Sequence, residues 1–180
     1  MFTEFARRGL KRKGLDLLGV IPHQRMLSNP SIKLIREELE AEALNAGPAT
    51  DNLVEDVVVG AMGVNNAMPF FKPGVLLITP GDREDIILAA ATIQGPDGAR
   101  QLAGIVLTGG LRPGESVLRV IRRLPFPVLL AQKDSYQVAS RVHDLTVKTR
   151  AEDTAKVSLI RDLIARHVDV KKILEATAIR

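Results

Sequence analysis

Two strongly apolar runs fix the kind of fold open to this chain. Val75-Leu-Leu-Ile-Thr79 and Gly104-Ile-Val-Leu-Thr108 each lead straight into a glycine-containing turn and then a helical pattern. A strand without polar alternation is buried on both faces, and such strands joined through single helices belong to a parallel sheet held between helical layers. The turns Thr79-Pro-Gly-Asp-Arg-Glu-Asp85 and Thr108-Gly-Gly-Leu-Arg-Pro-Gly-Glu-Ser116 then fall at the carboxyl ends of their strands. That is the edge at which open α/β sheets hold ligands.

The remaining sequence extends this alternation. Val54 to Val59 and Pro127 to Ala131 read as further strands, and Asp82 to Ile93, Glu115 to Leu124 and Ser135 to Val142 as helices, with a turn-rich stretch at Gln94 to Gly98. Ahead of them lie a basic helix, an apolar run from Leu15 to Ile21 that reads as a strand stopped by Pro22, and a helix from Ser31 to Leu44 announced by Asn29-Pro30. Asn45-Ala-Gly-Pro-Ala-Thr50 reads as a linker, and late helices are expected over Ala151 to His167 and Val170 to Ala178. The expectation is therefore a three-layer α/β domain with a mainly parallel sheet over 50–169. It is preceded within 1–49 by an orphan strand and helix and followed by a C-terminal helix at 170–180.

Charge is concentrated at one end. Arg7, Arg8, Lys11, Arg12 and Lys13 against Glu4 give the first 13 residues a net charge of +4, the same as the whole chain, so the rest is balanced. A nucleic-acid face needs basic groups spread over a surface with aromatic platforms between them. With no Trp, one Tyr and five Phe, the chain offers none, and no nucleic-acid partner is expected. No apolar run approaches the roughly 20 residues of a membrane-spanning helix, so no membrane partner and a cytoplasmic location are expected. The absence of cysteine removes disulfides, thiolate nucleophiles and cysteine metal sites. At 180 residues the chain needs no such staple, because a domain of that size buries roughly 70% of its unfolded surface.

The glycine turns carry the candidate chemistry. Gly109-Gly-Leu-Arg-Pro-Gly-Glu-Ser116 has the glycine spacing of a phosphate loop, but Glu115 stands where that loop places a lysine, and an anion there opposes phosphate binding. In Gly81-Asp-Arg-Glu-Asp85, Asp82 either caps the following helix or meets a ligand hydroxyl, and Arg83 offers a fork for an anion. The candidate ligand contacts are Thr79, Gly81, Asp82, Arg83, Thr108, Gly109, Gly110 and Arg112. Lys133-Asp-Ser-Tyr136 follows another strand, with a helix cap at Asp134 or Ser135 as its plainest role. His23, His143 and His167 lack ligand spacing and the serines lack a G-x-S-x-G turn. Neither a catalytic residue, a metal nor a cofactor is expected.

Leu53-Val-Glu-Asp-Val-Val-Val-Gly-Ala-Met62, Thr79-Pro-Gly-Asp-Arg-Glu-Asp-Ile-Ile-Leu-Ala-Ala90 and Gly104-Ile-Val-Leu-Thr-Gly-Gly110, in that order, resemble the DRTGG domain. That module occurs in the amino-terminal region of long phosphate acetyltransferases, in some CBS-domain pyrophosphatases and in proteins similar to cobyrinic acid a,c-diamide synthase. Val147-Lys-Thr-Arg-Ala-Glu-Asp153 and Ile164-Ala-Arg-His-Val-Asp169 resemble the carboxyl end of the same group. Residues 14–44 resemble instead the last strand and helix of a P-loop ATPase domain similar to dethiobiotin synthetase. No G-x-x-x-x-G-K-[ST] loop accompanies them, so the chain looks like a piece of a two-domain protein. Glycine turns that carry no catalytic groups lead to the expectation of a non-catalytic regulatory or assembly module, with sensing of a small ligand such as an adenine nucleotide as one form of it. The alternative is a part of an enzyme, an ATP-dependent amidotransferase or a phosphate acetyltransferase, whose catalytic P-loop part lies elsewhere. An unpaired apolar strand at Leu15 to Ile21 would invite edge pairing, from which a homodimer is expected.

Overall fold

The structure is a computed structural model that describes residues 2–45, 50–93, 102–149 and 153–177. It divides into two compact units, one of residues 28–147 and one of residues 1–27 with 148–180. The larger unit contains a five-stranded sheet in the order β1-β5-β4-β3-β2, built from β1 (Glu42–Ala43), β2 (Asp56–Val59), β3 (Val75–Pro80), β4 (Gly104–Thr108) and β5 (Val128–Leu130). β2 to β5 are mutually parallel, and β1 closes one edge antiparallel to β5, pairing Glu42 with Leu130. The mainly parallel three-layer α/β arrangement is the one read from the sequence.

After a single turn, α2 (Arg25–Ser28), helix α3 (Ile32–Leu39) belongs with α7 (Ser135–His143) to one layer, and α5 (Glu84–Thr92) and α6 (Glu115–Ile121) belong to the other. Alternate residues of each strand point to opposite faces. Leu77, Ile105, Leu107, Val128 and Leu130 pack with Ile86 and Ile87 of α5 and Val117, Leu118 and Ile121 of α6. Leu76, Ile78, Val106 and Leu129 pack with Ile32, Ile35 and Leu39 of α3 and Val138 and Val142 of α7. Each fully buried Leu or Ile contributes about 1.5–3 kcal/mol, which is why these strands carry no polar alternation. The segment from Gly60 to Pro69 forms a short helix, α4 (Val64–Ala67), and the start of a 3-10 turn over Met68–Phe70.

Two boundaries differ from expectation. The compact unit begins at Ser28 and not at the linker, because α3 buries Ile32, Ile35 and Leu39 on the sheet. The helix expected to reach Leu44 stops at Leu39, where Glu40 enters the left-handed region with φ 51°. Its N–H bonds back to Arg36 and Glu37, and that of Ala41 to Arg36, the pattern that ends helices at a left-handed residue. The released chain can then form β1. Of the expected linker, residues 46–49 lie outside the described residues, as does the turn at 94–98.

Asn45, read as linker, is buried. Its Nδ2 donates to the carbonyls of Phe126 at 2.9 Å, Ile121 at 3.3 Å and Leu124 at 3.4 Å, and its Oδ1 accepts from the N–H of Val128 at 2.9 Å. One side chain thus ties the end of α6 and the carbonyls that follow it to the first amide of β5.

In the smaller unit, α1 (Phe2–Lys11), α8 (Thr154–His167) and α9 (Val170–Thr177) are the long elements. The strand expected at Leu15 to Ile21 does not form. Gly19 makes a single antiparallel bridge to Val168, and Leu15, Val20 and Ile21 are exposed. The bridge sits at the break between α8 and α9, where Asp169 N–H donates to Leu18 at 2.7 Å and Lys172 Nζ reaches Asp16 at 2.6 Å. That ion pair lowers the Asp16 pKa and raises that of Lys172. Among the described residues no helix is long and apolar enough to cross a membrane.

Replacing Asn45 by Ala should lower the unfolding free energy in urea titrations by about 2–3 kcal/mol, since a buried amide and several carbonyls lose their partner. Asn45→Asp should cost more, because a carboxylate would face carbonyl oxygens. A loss below about 0.5 kcal/mol, the level of a neutral surface change, would contradict the role assigned to this side chain.

Candidate functional site

The eight residues singled out in the sequence lie at or just past the carboxyl ends of the neighbouring strands β3 and β4, but most are bonded to the backbone or to other side chains of the domain. Thr79 and Thr108 are buried. Thr79 Oγ1 donates to the Gly60 carbonyl at 3.4 Å, and Thr108 Oγ1 shares a hydrogen bond of 2.7 Å with Ser135 Oγ. These hydroxyls tie β3 to the end of β2 and β4 to the start of α7.

Arg83 was expected to present a fork to an anion. Its guanidinium instead donates to the carbonyls of Gly60 and Ala61 at 3.4 Å and Met62 at 3.0 Å, and to both carboxylate oxygens of Asp85 at 2.9 and 3.0 Å. The hydrogen bonds from Arg83 hold the Asp85 carboxyl below its ordinary pKa, and the same bonds push the guanidinium above its own. Arg83 therefore clamps the loop after β2 onto the start of α5. Asp82 does not cap that helix: Arg83 occupies the N-cap position without a side-chain bond, because the N–H of Arg83 turns back to Pro80 at 3.1 Å and delays the first helical residue to Glu84. Asp82 is exposed and makes no hydrogen bond among the described residues. The cap expected at Asp134 is present, with its carboxylate accepting from Gln137 N–H at 2.9 Å.

The glycines allow close approach. A Cβ at Gly81 would run into the carbonyl group of Leu111, and one at Gly110 would lie 2.5 Å from Gln132 Oε1. Gly109 and Gly110 both take positive φ, 78° and 65°, which a glycine adopts without steric cost. Their amides point at the segment after β5, Gly109 N–H to the Lys133 carbonyl at 2.7 Å and Gly110 N–H to the Ala131 carbonyl at 2.9 Å. A phosphate loop leaves such amides free for the ligand; here both are spent on the segment after β5. Arg112 is paired with Glu42 of β1 at 2.5 Å.

Several participants were not visible in the sequence. Glu84 Oε1 accepts from Gly114 N–H at 2.8 Å, so an acid at the start of α5 caps α6. Ser135, Glu42 and the carbonyls of residues 60–62 complete the network, and no local spacing signals contacts between such distant segments. Among the described residues no group of three or more metal-ligating side chains converges.

The DRTGG domain family matches residues 34–145. The chain belongs to that family. The residues whose one-letter codes spell its name, Asp82-Arg83 and Thr108-Gly109-Gly110, stand at the ends of two neighbouring strands of this DRTGG domain. The chain is similar to the phosphate acetyltransferase of Nitratidesulfovibrio vulgaris, 30% identical over 157 residues covering 86% of this chain and 22% of that protein. It is also similar to the enzyme of Pseudomonas putida, 33% identical over 165 residues covering 89% of this chain and 23% of that protein. It thus spans less than a quarter of these relatives. Among solved structures, the fold is similar to that of the CBS and DRTGG domains of the regulatory region of Clostridium perfringens pyrophosphatase, complexed with the activator diadenosine tetraphosphate. The TM-score is 0.55 at 22% identity, covering 82% of this chain and 73% of that one.

Because Asp85 has a lowered pKa in the folded chain, its contribution to stability is present above the unfolded carboxylate value of about 4 and is lost as pH falls through the lower folded value. Asp85→Asn should cost up to about 1 kcal/mol at neutral pH, discounted for the exposure of the pair. Urea midpoints of the variant and the parent chain should converge under strongly acidic conditions. A difference that persists unchanged there would exclude the ion pair as its source.

Proposed function

We propose that the DRTGG domain of this chain is a non-catalytic regulatory or assembly module of a phosphate acetyltransferase-like polypeptide. The observation that carries this reading is the self-satisfied carboxyl edge: Arg83, Arg112, Glu84 and the amides of Gly109 and Gly110 are engaged within the domain. Groups held in this way are rigid supports, and none is poised as nucleophile or base. Glu115 at the position of a phosphate-loop lysine supports the same reading.

Pairing with a second copy belongs to this proposal. β2 has a strand partner on one side only among the described residues, and Val59, Met62 and Phe70 nearby are exposed, Phe70 at 47%. An apolar, unpaired strand edge favours association with another chain. A second reading, sensing of an adenine nucleotide, is favoured by the fold it shares with a regulatory region that binds diadenosine tetraphosphate. The fold likeness supports such a ligand without assigning its place.

The purified chain should form neither ADP from ATP nor acetyl-CoA from acetyl phosphate, and should sediment as a dimer at high micromolar concentration. If it senses a nucleotide, AMP, ADP or ATP at about 100 times its dissociation constant adds about 2.7 kcal/mol, a melting shift of about 5–10 °C for a chain of this size. Flat melting curves would leave the assembly role alone, and turnover by the chain itself would overturn the proposal.

A further inference from the structure

Away from the strand ends, one concavity of the DRTGG domain gathers cations that no described acid neutralises. A cavity of about 390 Å³ is lined by Ala91 of α5, by Ser116, Arg119 and Val120 of α6, and by Arg123 and Leu124 beyond it. Its lining is apolar at Ala91, Val120 and Leu124, the last buried. Arg119 in the last turn of α6 and Arg123 just past its end both line this one cavity. Arg119 Nη2 donates to Ser116 Oγ at 3.3 Å, and neither arginine has a carboxylate partner among the described residues. Arg122 between them is neutralised by Glu115 at 2.9 Å. A cation at the end of α6 complements the helix dipole, but that role does not call for two guanidinium groups over one cavity.

We propose that this groove binds a small phosphorylated ligand with a flat apolar part, about the size of a nucleoside monophosphate. Two guanidinium forks and a hydroxyl suit the oxygens of a phosphomonoester, and the apolar lining suits a planar ring. The volume falls at the lower end of the range of about 300–1,000 Å³ usual for ligand pockets. The inference rests on the ligand-sensing reading above and moves its site from the strand ends, where the polar groups are already engaged, to the helical layer.

The test is a titration of the isotopically labelled whole chain with AMP, UMP and adenosine, followed by amide chemical shifts. AMP should perturb Ala91, Ser116 and Val120, with adenosine much weaker. Arg119→Gln and Arg123→Gln should each weaken AMP binding about tenfold or more while leaving the melting temperature unchanged, since both side chains are on the surface. UMP matching AMP in the groove would uphold the site and retire only the preference for adenine. AMP perturbing Gly81, Gly109 and Gly110 instead, with affinity indifferent to both substitutions, would overturn the groove and leave nucleotide sensing standing. No response to AMP or UMP at millimolar concentration would overturn both.

Discussion

The architecture depends on closure of the carboxyl edge of the sheet by the chain's own hydrogen bonds. In an open parallel sheet this edge is where backbone amides and polar side chains would face solvent or a ligand. Here the turn after β4 folds back through two left-handed glycines, and its amides dock on the segment after β5. Arg83 fastens the loop after β2, and Glu84 fastens the start of α6. Each of these bonds links segments far apart in sequence, so the four parallel strands and both helical layers are coupled at one end.

Asn45 does the corresponding work at the opposite edge. By bonding the Ile121 carbonyl at the end of α6, the Leu124 and Phe126 carbonyls after it and the first amide of β5, it fixes the crossover between the two elements, while β1 covers the outer side of β5. A single buried amide with its donors and acceptor used costs little; stripped of partners, each such group would cost about 1–3 kcal/mol. The two ends together explain how a sheet with short strands stays in register.

Much of this was legible in the sequence, for reasons that are local. The apolar runs of β3 and β4 could only be strands buried on both faces, and Asp134 followed by a helical pattern could cap α7 without help from elsewhere. What escaped the sequence was set by distant contacts or by one backbone angle. Glu40 ends α3 because it adopts a left-handed conformation usually left to glycine or asparagine, so periodicity carried the helix too far. Leu15 to Ile21 has strand composition, yet only Gly19 finds a bridge. Arg83 looked available because nothing in its neighbourhood reveals that the carbonyls of residues 60–62 converge on it, and the same holds for Glu84 and Gly114.

Amide hydrogen exchange at Gly109, Gly110 and Gly114 in the unliganded chain tests the closed edge most directly. If these amides are held by Lys133, Ala131 and Glu84, they should exchange far more slowly than exposed turn amides, with Gly109 and Gly110 approaching the protection of the β4 core. Exchange at the rate of an open loop, slowed only on adding a phosphorylated ligand, would mean that the glycine turn is a ligand cradle and would contradict the account.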